Sequence, residues 1–246
     1  GPEDPAPVAL FNPHGRAPFL LLGDHAGIAI PARLGNLGLG AADLARHIAW
    51  DIGVRGLGEA LAARLDAVFL HQLYSRLVVD CNRAPHASDA MPERSDGTDI
   101  PGNVGLSAAE RTARVSAIHA PYQAAIATEI AGRTDPPILV SLHSFTPVMA
   151  GKPRPWEIGI LHDGGDARFA RAMLDVLRAR GDLSVGDNEP YRMDLIDYTV
   201  PLHAYPAGLR YAEIEIRQDL IGDAAGQQRW AAIVGDTLLA AEARLG

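Results

Sequence analysis

Ser75-Arg-Leu-Val-Val-Asp80-Cys-Asn82-Arg83 sets an acid, an amide and two guanidiniums around a short apolar run. Charged groups at the ends of a buried run need partners or a cleft. Arg grips a carboxylate through two parallel hydrogen bonds, so Arg76 and Arg83 point to a site for an anionic small molecule. A hydrolytic zinc site commonly takes three protein ligands and keeps a fourth position for water. His25 in Asp24-His-Ala-Gly27 and His143 in Leu142-His-Ser-Phe-Thr-Pro147 are the nitrogen candidates, each where an apolar run meets a loop. Asp51 in His47-Ile-Ala-Trp-Asp51-Ile-Gly53 is the oxygen candidate, beside a glycine that lets the chain turn sharply. A lone His is more often structural or exposed, and His14, His71, His86 and His119 are read so. His47 fits either a supporting role behind a ligand or a helix surface.

Glu213-Ile-Glu215-Ile-Arg217 alternates polar and apolar residues, so Glu213, Glu215 and Arg217 share one strand face. Two acids beside one Arg read as an organised polar site, and equally as a solvated strand edge. A carboxylate next to an activated water can take its proton and pass it to a leaving amine. Two rival classes stay open. One is a metal-free protein that captures a carboxylate or phosphate with Arg76 and Arg83. The other is a nucleophilic hydrolase built on Ser144 and His143. Adjacent residues on a strand rarely face each other, and no G-x-S-x-G turn is present. Cys81 as nucleophile is disfavoured by its apolar flanks, which predict a buried inert thiol.

Residues of these kinds need a frame. With 246 residues, one α/β domain is expected over two small ones. The chain is 48% apolar and 21% charged, as an ordinary globule is. A formal charge of −8 argues against nucleic acid as a partner, while a local Arg pocket can still take an anion. One Cys gives no disulfide framework. No apolar run approaches the ~20 residues of a membrane span. Gly1-Pro2 reads as a cleavage remnant, no signal peptide is read, and a cytoplasmic location is expected.

Residues up to about Ala17 are Pro-rich and expected to be irregular. Strands are predicted at 18–23, 67–70, 77–80, 138–142 and 156–161, and at 211–216 with one wet face. Helices are predicted at 43–48 and 56–65, from a Ser107/Glu110 capping box to Gly132 with a kink at Pro121, from Phe169 to Gly181, and at the C-terminus. Residues 84–105 and 186–206 read as long loops that shape a pocket. In the second loop, Tyr191, Arg192, Tyr198 and His203 are substrate contacts or ordinary packing. The alternation predicts a single doubly wound, mainly parallel mixed sheet with helices on both faces. Ligands collect beyond the carboxyl ends of such strands, where His25, Asp80-Asn82-Arg83, His143 and His162 are expected to converge.

Taken together, Asp24-His-Ala-Gly27, His47 to Gly53, Ser75 to Arg83, Leu142 to Pro147 and Glu213 to Asp219 resemble the N-formylglutamate amidohydrolase family over roughly residues 18–220. The Arg-x-x-x-Asp-x-Asn-Arg run is the most specific piece, and His-Ala-Gly is weak alone. The family is similar, at a distance, to zinc carboxypeptidases and aspartoacylases. The resemblance implies a phosphorylase/hydrolase-like α/β fold and a zinc amidase acting on an N-acyl amino acid such as N-formylglutamate. It implies one Zn2+ on His25, Asp51 and His143, with Glu215 as general base; in the mechanism this suggests, Arg76 is expected beside the oxyanion. Asn82 and Arg83, with Arg217, would bind the substrate. One departure stands out. Zinc carboxypeptidases carry Glu three residues after the first His, whereas this chain has Ile28, so the acidic ligand must come from elsewhere and Asp51 matches best.

Overall fold

Phe19, Leu21 and Leu20, Leu22 alternate sides on one short strand, yet all four are fully buried. Such a strand requires cover on both faces, and the computed structural model, which describes residues 4–193 and 197–246, supplies it. In chain order the strands are β1 (Val8–Phe11), β2 (Phe19–Gly23), β3 (Val68–Gln72), β4 (Arg94–Ser95), β5 (Thr98–Asp99), β6 (Ile138–Phe145), β7 (Val148–Met149), β8 (Lys152–Pro153), β9 (Ile158–Leu161), β10 (Val185–Asp187) and β11 (Tyr211–Arg217). The helices are α1 (Ala41–Leu44), α2 (Val54–Leu65), α3 (Ala108–Arg114), α4 (Ala120–Ala131), α5 (Arg168–Arg180), α6 (Thr199–Ala204) and α7 (Ala224–Ala243).

Seven strands form one sheet in the order β1-β3-β2-β6-β11-β9-β10. Strands β3, β2, β6 and β11 run parallel, and β9 runs parallel to β10. The β1–β3 and β11–β9 pairs are antiparallel. The mixed, mainly parallel sheet expected from the sequence is therefore present. Phe19, Leu21, Phe69, Val140 and Ile214 pack under α2, α5 and α7, with Leu57, Phe169 and Trp230 among the contacts. Leu20, Leu22, Leu70, Leu139 and Tyr211 pack on the other face against Ile118, Tyr122 and Ile126 and against Val200 of α6. No helix among the described residues is long and apolar enough to cross a membrane.

Five expectations need correction. Residues 8–11 are not irregular, because the open edge of β3 recruits them as β1. The helix expected at 43–48 is only Ala41–Leu44, followed by turns. Residues 77–80 are buried but form a turn, in which Val78 N–H donates to Ser75 O. The face of β11 read as wet is buried at Glu213 and Glu215, because it looks into a cleft, and only Arg217 at its end is partly exposed. His162 stands apart from the other site candidates: β9 is antiparallel to β11, so its end points the opposite way. There His162 pairs with Asp187. The long loop 84–105 holds the β4–β5 hairpin, and the loop 186–206 holds α6. Residues 194–196 of the latter, like Gly1-Pro2, lie outside the described residues.

Candidate active site

The carboxyl ends of β2, β3, β6 and β11 open on a cleft of about 490 Å³. His25 enters it two residues beyond β2. Its carbonyl accepts from Asp51 N–H at 2.9 Å, so the two segments are stapled by backbone. Gly53, with φ of 86°, then turns the chain into α2, and a Cβ there would strike the Ile221 carbonyl. This left-handed turn aims Asp51 back at the cleft. His143 lies on β6 in register with Glu215 of β11, and Ser141 in register with Glu213, so all four side chains share one sheet face.

His25, Asp51 and His143 each offer one ligand atom, and these lie within 4.8 Å of one another. Asp51 Oδ2 is 3.4 Å from His25 Nδ1 and 3.1 Å from His143 Nδ1. The opposite ring nitrogens are engaged elsewhere. His25 Nε2 is 2.7 Å from Asp80 Oδ1, and a carboxylate can only accept, so Nε2 carries a proton and Nδ1 is the nitrogen left facing Asp51. His143 Nε2 is 2.9 Å from Ser141 Oγ and 3.7 Å from Asp24 Oδ2. His25 Nδ1 is buried and has no hydrogen-bond partner among the described residues. Two imidazoles with anchored far nitrogens and one carboxylate are the donor set of a divalent-metal site with an open position, so the residues fit a metal ion.

The charges are strongly interdependent. Burial alone would raise Asp51, but His25, His143 and Arg76 outweigh it and hold this acid far below the carboxylate range. Asp80 is likewise held down against burial by Arg76 and His25. Both imidazoles are raised despite burial, His25 by Asp80 and Asp51, and His143 by Asp51 and Glu213. Burial pushes Glu215 up to about 8; Asp51 adds to this, while His143, His25 and Arg76 oppose it. Burial and Asp197 drive Glu213 well above its ordinary value. Glu215 thus feels all three metal-ligand candidates, whereas Glu213 feels Asp197, His143 and Asp24.

Arg76 lines the cleft with Nε and Nη2 on Asp80 Oδ2 at 3.0 and 2.7 Å and Nη1 3.4 Å from Asp51 Oδ1. Arg83 also lines it, bracing Asp89 at 3.1 Å and its neighbour's Asn82 carbonyl at 2.9 Å. Asn82 is largely committed: Oδ1 accepts the N–H groups of Tyr198 and Thr199, and Nδ2 donates to Asp197. Arg217 does not line the cleft; it pairs with Asp219 at 2.8 Å. Ser144 Oγ donates to the Ile52 carbonyl at 2.9 Å. Cys81 is buried, and burial pushes its thiol well up. Tyr191 and Arg192 line the cleft; Tyr198 and His203 do not. His47 lines it too, 3.4 Å from Asp96 of the β4–β5 hairpin.

Sequence reasoning gave no role to Asp24 or Ser141, which stand behind His143, and none to Asp80 as the partner of His25. Asp80 had a signal in its place at the centre of the Arg-x-x-x-Asp-x-Asn-Arg run. Ser141 had one in its period-two relation to His143.

The sequence profile of the N-formylglutamate amidohydrolase family matches residues 17–222. No curated protein matches the chain in sequence. Among solved structures, a gene product of Agrobacterium tumefaciens is 39% identical, with a TM-score of 0.96, over 100% of this chain and 98% of that one. The N-formylglutamate amidohydrolase of Ralstonia eutropha has the same fold at 23% identity and a TM-score of 0.70, covering 97% of this chain and 98% of that one.

Proposed function

The chain belongs to the N-formylglutamate amidohydrolase family, a family of amide hydrolases, and from that premise we propose that it uses zinc to hydrolyse the amide of an N-formyl or other N-acyl amino acid. The observation that carries this reading is the convergence of His25, Asp51 and His143 beside Glu215 on one cleft. Zinc held by these three residues would acidify a water and polarise the acyl carbonyl.

The chain's own groups supply the rest. Arg83 anchors the substrate carboxylate, helped by Asn82 Nδ2, and so sets the acyl carbon over the metal-ligand trio. Glu215 takes a proton from the attacking water as the new C–O bond forms. Arg76 steadies the negative oxygen from the same wall with the N–H remaining on Nη1. The C–N bond then breaks, and Glu215 returns the proton to the departing amine, giving a carboxylic acid and a free amino acid. A carboxyl group raised by burial and drawn down by a neighbouring cation suits both halves of this exchange. Arg217, turned to Asp219, braces the strand end and takes no part.

Arg76 is already bound to Asp80 and Asp51, which weighs against a metal-free anion binder built on it. The deciding experiment measures metal content after purification without chelator. It then assays zinc-loaded and metal-stripped protein on a panel of N-acyl amino acids, N-formyl-L-glutamate among them. Zinc-dependent release of an amino acid is expected. Equal ligand binding without metal, and no turnover with it, would replace this reading with the binding protein.

A further inference from the structure

We propose that the π turn at Val115–His119 sets Arg114, His119 and Gln123 in register against the backbone of residues 78–83, making His119 a positioning residue for Arg83. The proposal rests on Arg83 being the substrate's carboxylate anchor.

Residues 78–82 run through the interior with neither a helical nor a sheet ladder to pair their carbonyls. A buried carbonyl without a donor is costly; Asp80 O takes the Arg83 N–H, and carbonyls that no backbone N–H reaches need a side chain. Val78 O accepts from Arg114 Nη1 at 3.1 Å, Cys81 O from Gln123 Nε2 at 2.8 Å, and Arg83 O from His119 Nε2 at 3.0 Å. All three donors come from the continuous helical run of α3, the π turn and α4.

Their spacing is five residues and then four. On a plain α-helix, residues three or four apart share a face, and a residue five along is turned off it by roughly 140°. The π turn absorbs the extra residue, with Ala120 N–H donating five residues back to Val115 O. Pro121 follows one residue later and lacks the N–H of a regular ladder, so the wider turn falls where one backbone bond is missing in any case. Side chains on both sides of the turn then reach one loop.

The three donors are held. Arg114 also grips Asn103 Oδ1 and Gly102 O. His203 Nε2, 2.8 Å from Gln123 Oε1, orients the Gln123 amide. The His119 ring lies 5.3 Å from that of Tyr198, whose N–H bonds Asn82. Burial keeps His119 below the ordinary histidine value, so a neutral ring with one N–H serves the Arg83 carbonyl.

The test compares His119→Ala, His119→Gln, Arg83→Met and the double variant that combines His119→Ala with Arg83→Met, all in zinc-loaded protein. KM and kcat are measured on N-formyl-L-glutamate, L-glutamate binding by calorimetry, and metal content directly. His119→Ala is expected to raise KM by about tenfold with kcat and metal content near the parent's. His119→Gln, which restores an N–H donor, should recover most of the loss. The double variant should bind no worse than Arg83→Met alone, because both changes act on one anchor. Additive losses, or a fall in kcat and metal content without a change in KM, overturn the proposal. If Arg83→Met alone leaves KM and glutamate binding unchanged, the anchor reading fails instead. Deleting the exposed Ala117 removes the extra residue and should reproduce the KM defect; a parental KM in that variant also overturns the register role.

Discussion

Asp80 holds His25 and Arg76 with one carboxylate: Oδ1 is 2.7 Å from His25 Nε2, and Oδ2 takes both Arg76 Nε and Nη2. The bond to His25 turns Nδ1 toward Asp51 and makes the ring more basic. Asp80→Asn is therefore expected to weaken zinc affinity by about 10–100-fold, read by competition with a chelator of known strength. Unchanged affinity would detach Asp80 from the metal site.

His143→Ala removes one of the three donor atoms and is expected to leave the purified protein without stoichiometric zinc. Metal analysis checks this directly, and full occupancy in the variant would take His143 out of the ligand set.

Glu215 and Glu213 are two residues apart on one face, but Glu215 lies in register with His143 and, after burial, is acted on chiefly by His143, Asp51 and His25, whereas Asp197 leads among the charges at Glu213. Glu215→Gln should keep its zinc and lose about 10²–10⁴-fold in kcat, the usual contribution of a positioned proton carrier. Glu213→Gln should lose far less. The reverse ranking would transfer the base role to Glu213.

Ser144 spends its hydroxyl on the Ile52 carbonyl, and Cys81 is a buried thiol. Ser144→Ala is expected to cost about 1 kcal/mol of stability and to leave turnover close to the parent's. Complete loss of turnover in a folded, zinc-loaded Ser144→Ala protein would revive the nucleophilic mechanism.

The metal-free protein should be less stable at neutral than at mildly acidic pH. Glu215 rises from 4.5 to about 8 on folding, so between those values the folded state holds a proton that the unfolded chain has lost. Stability then falls as pH rises, by on the order of a few kcal/mol. The raised His25 and His143 act in the same direction at higher pH. Depressed Asp51 and Asp80 act oppositely, losing their contribution as pH falls below about 4. Melting temperature against pH, with chelator, should peak on the acid side. Glu215→Gln should flatten the decline, and zinc should reverse it because metal binding needs deprotonated ligands. A chelated protein whose stability climbs steadily from pH 5 to pH 8 contradicts these assignments.

The elements were legible wherever a local pattern met an ordinary environment. The Ser107/Glu110 capping box is present with both of its bonds, and Gly181 ends α5 in the left-handed conformation expected of glycine there. Local pattern misled where a non-local partner decided. Val8–Phe11 became a strand only because β3 had a free edge, and Leu77–Asp80 forms a turn instead, with Leu77 O and Val78 O taking side-chain donors from Asn103 and Arg114 and Asp80 O taking Arg83 N–H.

By itself, the sequence determined the class of sheet, the types of side chain available for chemistry and the three metal-ligand candidates, because apolar periodicity and residue type are local properties. Only the tertiary structure decided which of those side chains meet. Parallel β6 and β11 brought His143 to Glu215, the antiparallel turn of β9 carried His162 away, and the π turn aligned His119 with Arg83. Strand direction and helix register are set by packing across the whole domain, and a one-dimensional pattern carries neither.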